Sequence, residues 1–206
     1  MQSLVESLAT HGYIKSESVK RAFVRVDRKI FVPISSQKTA YVDRPLSIGH
    51  GQTISAPSMI AIMLETLSLK KGDRVLEIGA GSGYNAALIS EIVGKNVISI
   101  ERIPELAILA RKNLKKAGSD IKVIVGDGTL GYAEESPYDK IIVTAAAPKI
   151  PKRLIEQLKI GGKLCIPVGK QYFCTLTVVK KTDEGKIEKK KYGGCTFVPL
   201  IGEEGW

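Results

Sequence analysis

The chain has little of what cysteine and histidine chemistry needs. Among 206 residues there are three cysteines and two histidines. Cys165, Cys174 and Cys195 form no Cys-x-x-Cys pair and are odd in number, so neither a disulfide framework nor a zinc ribbon is expected. Cys165 and Cys174 lie in apolar, strand-like runs, where a thiol behaves as a small buried hydrophobe. Reduced thiols of this kind fit a cytoplasmic setting. His11 and His50 stand apart from any cluster with metal-ligand spacing, so no metal is expected. His50, among glycines, reads as a loop contact rather than a catalyst. No apolar run reaches the roughly 18 residues that suggest a membrane-spanning helix. The first residues lack a basic stretch followed by an apolar one, so no secretory signal is expected. Repeats, low-complexity tracts and an evident linker are also missing.

What is present reads as an ordinary globular composition, 44% hydrophobic and 25% charged, with a formal net charge of +10. The length suits one domain. The densest basic stretch, 180–191, interleaves its lysines with Asp183, Glu184 and Glu188. It reads as a solvated hairpin whose tip is Thr182-Asp183-Glu184-Gly185, so no nucleic-acid partner is expected.

The first part of the chain is helical. Ser16 or Ser18 can cap a helix with an apolar face at Val19, Ala22, Phe23 and Val26. Residues 33–55 have no clear period and form a long loop, a feature often tied to function. A helix follows over 56–69, with Pro57 in its first turn and Ile60, Met63, Leu64 and Leu67 as its stripe. From Asp73 strands and helices alternate. Strands are expected over 75–78, 97–100, 121–125, 140–144 and 163–168, and helices over 85–93, 104–117 and 151–158, the last closed by Gly161-Gly162. Continuous apolar strands in such a run predict a doubly wound, mostly parallel α/β sheet with helices on both faces. Residues 172–180 and 187–192 predict an antiparallel hairpin added to it. The chain thus divides into an N-terminal helical and loop segment (1–70), an α/β core (71–170) and C-terminal strands (171–206) within one domain.

Three features at successive strand ends point to a nucleoside-containing ligand. Val75–Ile78 runs into Gly79-Ala80-Gly81-Ser82-Gly83 and then a helix; such a turn lets backbone approach a ligand and aims helix N-terminal amides at it. Glu101 ends the next strand, where a carboxylate accepts ribose hydroxyls. Gly126-Asp127-Gly128 ends the third, where a carboxylate can meet an adenine amino group. NAD(P) is the competing cofactor, but its G-x-G-x-x-G spacing would put a glycine at Tyr84. A Walker lysine motif is missing too.

The segment Glu77-Ile78-Gly79-Ala80-Gly81-Ser82-Gly83 resembles the first motif of class I S-adenosylmethionine methyltransferases, with a Rossmann-like fold. Other blocks resemble, more narrowly, the protein-L-isoaspartate (D-aspartate) O-methyltransferases. These are Pro45 to Pro57, with its Thr53-Ile54-Ser55-Ala56-Pro57 end; Gly126-Asp127-Gly128; Pro137-Tyr138-Asp139; Val143 to Pro148; Gln157 to Leu164; and Phe197-Val198-Pro199-Leu200. They cover nearly the whole chain in family order. The resemblance implies that S-adenosyl-L-methionine is the cofactor and that Ser55 is the catalytic position. It places Gln52, Thr53 and Ile54 near the cofactor, with Glu77 and the glycines Gly79, Gly81 and Gly83 at its methionine end. Glu101 falls at the ribose, Asp127 and Gly128 at the adenine, and Val198 on the peptide substrate. A plain helix-capping role for Ser55 is the competing reading.

The implied reaction methylates the free carboxylate of L-isoaspartyl residues in damaged peptides and proteins, opening their repair through a succinimide. Two other readings stay open. One is an RNA or DNA methyltransferase, suggested by the charge; against it, Thr144-Ala145-Ala146-Ala147-Pro148 stands where an Asn/Asp-Pro-Pro-Tyr/Phe motif would follow the fourth strand. The other is a cofactor-binding module without catalysis.

Overall fold

A computed structural model describes residues 1–170, 173–183 and 186–206. The N-terminal segment begins with α1 (Gln2–Thr10) and α2 (Glu17–Arg25). Ser16 caps α2 by accepting from the Val19 amide, and the helix buries Val19, Ala22 and Phe23 as its spacing predicts. Two 3-10 turns follow, Arg28–Phe31 and Ile34–Thr39. Within the expected loop-rich segment lies a small antiparallel hairpin, β1 (Leu46–Gly49) and β2 (Gln52–Ile54). Its Leu46, Ile48 and Ile54 join the core, so a short alternating pattern was hidden among turn residues. Next comes α3 (Pro57–Leu67), with Ile60, Met63, Leu64 and Leu67 buried.

The alternating core then runs β3 (Val75–Ile78), α4 (Tyr84–Val93), β4 (Val97–Glu101), α5 (Pro104–Lys116), β5 (Lys122–Val125), β6 (Tyr138–Val143), α6 (Lys152–Glu156) and β7 (Leu158–Lys170). β8 (Phe173–Lys181) and β9 (Ile187–Cys195) complete a seven-stranded sheet ordered β5-β4-β3-β6-β7-β8-β9. Pairs from β5 through β7 are parallel, and β7-β8-β9 are antiparallel.

Side-chain alternation along the strands splits the core in two. Val75, Val97, Val123 and Ile142 face a cluster shared with α1 to α5. Leu76, Ile78, Ile98, Ile100 and Ile141 face the other side, which Leu154 of α6, Leu158, Tyr138 and Leu200 cover. α4 is enclosed more fully than an amphipathic stripe implies: Tyr84, Leu88 and Val93 are buried along with Ala86, Ala87, Ile89 and Ile92. It lies between the sheet and the N-terminal helices.

One boundary differs by several residues. β7 starts at Leu158, so Gly161-Gly162 lies inside the strand and does not close a helix. The β6–β7 register shifts there, between the pairs Tyr138/Leu158 and Lys140/Lys163. A Cβ on Gly162 would sit 2.8 Å from the Lys159 carbonyl and 3.0 Å from that of Asp139. The glycines accommodate a bulge. α6 ends at Glu156, and Gln157 caps it while its side chain accepts from the Tyr132 amide and donates to the Leu130 carbonyl. Tyr172 and the Glu184-Gly185 part of the expected hairpin tip lie outside the described residues.

Candidate active site

The chain builds outward from β3 to β4 and β5, then returns to the other side of β3 with β6 and β7. The sheet's switch point therefore lies between β3 and β6, and ligands of open α/β sheets bind beyond the strand carboxyl ends at such a point. A cleft opens there, enclosing about 920 Å³ of non-atom space including its mouth. Its floor is the β3–α4 turn from Gly79 to Ser82, with Glu101 and Arg102 after β4, Gly128 after β5, and Thr144 and Ala145 after β6. Gln52, Thr53, Ile54 and Ser55 form one wall and Val198 to Ile201 another.

The glycine turn holds its shape through close contacts. Gly79 has φ +94°, and a Cβ there would stand 2.4 Å from Thr144 Oγ1. That hydroxyl donates to the Ile78 and Gly79 carbonyls at 3.0 and 2.8 Å, tying β6 to the turn. Glu101 is buried, and its two carboxylate oxygens accept from the Gly81 amide at 2.8 Å and the Ile103 amide at 3.0 Å. Each oxygen retains a lone pair, so the carboxylate can still accept from a diol. Asn85, on the first turn of α4, lines the cleft and carries a buried Oδ1 that meets no donor among the described residues. An orphaned acceptor beside a helix N-terminus suits an ammonium next to a carboxylate, the two ends of an amino acid. The residues present therefore fit a nucleoside joined to an amino acid, as S-adenosylmethionine is.

Three expected cofactor residues are not on the cleft wall. Glu77 is fully buried behind the turn, accepting from Asn85 Nδ2 at 2.8 Å and from the Ser99 hydroxyl. Burial pushes its carboxyl up to about 7, against the lowering effect of those two hydrogen bonds. It reaches the cleft only through Asn85, which lines it. Gly83 caps α4, and a Cβ there would press on Leu114 at 3.1 Å and the Ala110 carbonyl at 3.3 Å, so it serves helix packing. Asp127 turns toward the C-terminus. Its carboxylate accepts from the Thr129 amide and hydroxyl at 2.8 and 2.7 Å and from the Glu203 amide at 2.8 Å. Burial raises its pKa, but the bonds from Glu203 and Thr129 outweigh this and hold it below the usual carboxylate range. Gly128 does line the cleft.

Ser55 follows β2 directly. The N-cap of α3 is Ala56, with no side-chain cap, so Ser55 does not cap the helix. The Ser55 carbonyl accepts from Arg28 Nη2 at 2.9 Å, while its hydroxyl meets no partner among the described residues. A half-buried hydroxyl facing a cleft remains available to a ligand. Val198 is held by a short parallel bridge between Ala146 and Pro199: the Ala146 amide donates to the Val198 carbonyl and the Leu200 amide to the Ala146 carbonyl, both at 2.8 Å. The tail folds back over this bridge, with Trp206 Nε1 donating to the Ala146 carbonyl at 3.1 Å and the Glu204 amide to Thr129 Oγ1 at 3.1 Å.

Sequence reasoning overlooked Arg28, Asn85, Arg102 and Thr144. Asn85 was legible as a polar residue at the start of α4, just after the glycine turn and just before the apolar run from Ala86 to Ile89. Arg28, in the polar run Arg25-Val26-Asp27-Arg28-Lys29, carried no signal for burial.

A family model described as Protein-L-isoaspartate(D-aspartate) O-methyltransferase (PCMT) matches residues 1–205. The chain is 56% identical over 209 residues to a protein-L-isoaspartate O-methyltransferase of Methanopyrus kandleri, covering all of this chain and 92% of that one. It is 57% identical over 204 residues to the Pyrococcus horikoshii protein of the same name, covering 98% and 93%. A Plasmodium falciparum protein described as a beta-aspartate methyltransferase (PCMT), solved with S-adenosyl-L-homocysteine, superimposes with a TM-score of 0.85 at 31% identity over 97% of each chain. The chain belongs to the protein-L-isoaspartate (D-aspartate) O-methyltransferase family.

Proposed function

We propose that this chain transfers a methyl group from S-adenosyl-L-methionine to the free carboxylate of L-isoaspartyl residues in peptides and proteins, with Ser55 as the catalytic side chain. The observation that carries this reading is the position of Ser55: a hydroxyl without a partner among the described residues, on the wall of the same cleft as the glycine turn and Glu101. When bound, the cofactor supplies an electrophilic methyl group on a positively charged sulfur.

The rest follows from the chain's own groups. A carboxylate acceptor is already ionised at neutral pH, so no general base is needed. Both histidines fit that: His11 is exposed just past the end of α1, its ring nitrogen bonded to the Ser7 carbonyl, and His50 is exposed on the β1–β2 turn. The protein's work is to bind, align and exclude water. Glu101 receives the ribose hydroxyls, Gly128 borders the adenine, and Asn85, held by Glu77, receives the ammonium of the methionine end. Gln52, Thr53 and Ile54 close the cleft from the hairpin side. Ser55 donates to one carboxylate oxygen and so turns the other toward the methyl group. Val198 and its neighbours offer strand-like backbone to the peptide.

The segments 1–70, 71–170 and 171–206 work as one unit, since all three contribute to the cleft. No nucleic-acid acceptor belongs to this reading. The three free cysteines support a cytoplasmic setting, and no helix among the described residues is long and apolar enough to cross a membrane. Methyl transfer from labelled cofactor to an isoaspartyl peptide, compared with its aspartyl twin, tests the reading.

A further inference from the structure

Arg28 is 1% exposed, and no acid lies within ion-pair distance of it among the described residues. Arginine is almost never buried this way without a partner, because the charge loses its hydration. One of its three nitrogens, Nη2, donates to the Ser55 carbonyl at 2.9 Å; Nε and Nη1 have no hydrogen-bond partner among the described residues. The guanidinium lies over the Tyr84 ring, 5.1 Å from its centroid. Tyr84 is the first residue of α4, directly after the glycine turn, and is wedged in place by Phe23 and Phe31. Arg28 thus bridges the two parts of the cleft that must come together, the Ser55 wall and the cofactor turn.

The surroundings hold the charge in place without neutralising it. Asp27 caps the 3-10 turn that carries Arg28 and accepts from Tyr41. Asp43 attracts Arg28 electrostatically, but its carboxylate is bonded to the Ser58 amide, three residues past Ser55. Burial lowers the pKa of Arg28, yet an arginine stays protonated at neutral pH. Among the described residues the cleft lining carries one cation, Arg102, which is exposed, and one buried anion, Glu101. An incoming carboxylate therefore enters a site whose own buried charge is negative.

We propose that Arg28 is a positioning residue for the methyl acceptor: it fixes the Ser55 backbone and supplies, from behind it, the buried positive field that makes the site prefer a carboxylate over a neutral group. The proposal rests on Ser55 facing the substrate. It goes further in assigning the charge selectivity to a residue that does not touch the substrate.

The test uses two peptides of nearly equal shape, one charged and one neutral at the acceptor group: an isoaspartyl peptide and its twin with the free carboxylate converted to carboxamide. Their dissociation constants are measured with enzyme saturated in S-adenosyl-L-homocysteine. Arg28→Lys keeps the charge, whereas Arg28→Gln keeps a donor and loses it. The expected result is that Arg28→Gln lowers the carboxylate-over-amide ratio by about tenfold or more, the scale of one charge acting at low dielectric, and Arg28→Lys restores most of it. Affinity for S-adenosyl-L-homocysteine should move less than about threefold, a small fraction of a tenfold binding step. A purely structural role would weaken both peptides equally and leave the ratio intact, which would overturn the proposal. Asp43→Asn gives an independent reading in a folded background, since Asn can still accept from Ser58. The ratio should rise there, and a fall or no change would count against the proposal. Ser55→Ala, run alongside, separates the layers: unchanged turnover overturns both assignments, whereas lowered turnover with an unchanged ratio in Arg28→Gln overturns that of Arg28 alone.

Discussion

The Ser55 carbonyl is bonded to Arg28 at 2.9 Å, and its hydroxyl is left to the cleft. Ala56 takes the N-cap position of α3, so removing the hydroxyl should not loosen the helix. Ser55→Ala is expected to lower turnover about 10- to 100-fold, the worth of a hydrogen bond to a charged group, while the melting temperature and cofactor affinity hold. Steady-state kinetics beside cofactor titration checks this; a rate equal to the wild type would remove Ser55 from the chemistry. Glu77 gives a prediction of another kind. Its folded pKa of about 7 lies above the ordinary glutamate value of about 4.5, so the unfolded chain gives up this proton first as pH rises. Stability from this group is therefore full below about 4.5, falls between 4.5 and about 7, and is flat above. The total is about 3 kcal/mol at 1.36 kcal/mol per pKa unit. Glu77→Gln is neutral throughout, so its advantage over wild type in urea unfolding should be larger at pH 8 than at pH 5. An advantage independent of pH would mean that folding does not raise the pKa of Glu77.

At the scale of elements, the β3–turn–α4 unit was legible because each signal agreed: an apolar strand, glycines at the turn and an apolar helix. The hairpin at 46–54 was not. Three-residue and four-residue strands do not establish a period, and Gly49 at the end of β1 and the linking His50 and Gly51 all take positive φ and read only as loop. Gly161-Gly162 misled for the opposite reason. A glycine pair after an apolar run signals a helix end, and only the register with β6 makes it a bulge. Asp127 also depended on tertiary context, since the Glu203 amide that it accepts from is 76 residues away. That bond makes the tail an element of the site. Asp127→Ala should free residues 202–206 at a cost of about 1–3 kcal/mol, the penalty for the donors left behind. Hydrogen exchange should quicken at the amides of Glu203, Glu204 and Trp206 and then at Ala146 and Leu200, with β3 and β4 unchanged. Protection unaltered in the tail would show that Trp206 and the Ala146–Pro199 bridge hold it alone.

For the whole molecule, the switch point of the sheet concentrates the chemistry. Strand ends from β3, β4, β5 and β6 converge there, and the N-terminal hairpin and the C-terminal tail close over them from the two ends of the chain. Most of this was visible in the order of motifs, because strand carboxyl ends are marked by Gly79, Glu101 and Gly128. The enclosure was not visible, because Arg28, Thr144 and Ile201 reach the site or its wall only through packing. Every role proposed for the cleft depends on the identity of the methyl acceptor. The most direct measurement is incorporation of labelled methyl groups from S-adenosyl-L-methionine into an isoaspartyl peptide and, in parallel, its aspartyl twin. Base-labile label on the isoaspartyl peptide and none above background on the twin is the predicted result. Equal labelling of both, or labelling of neither by protein that binds the cofactor, would contradict it.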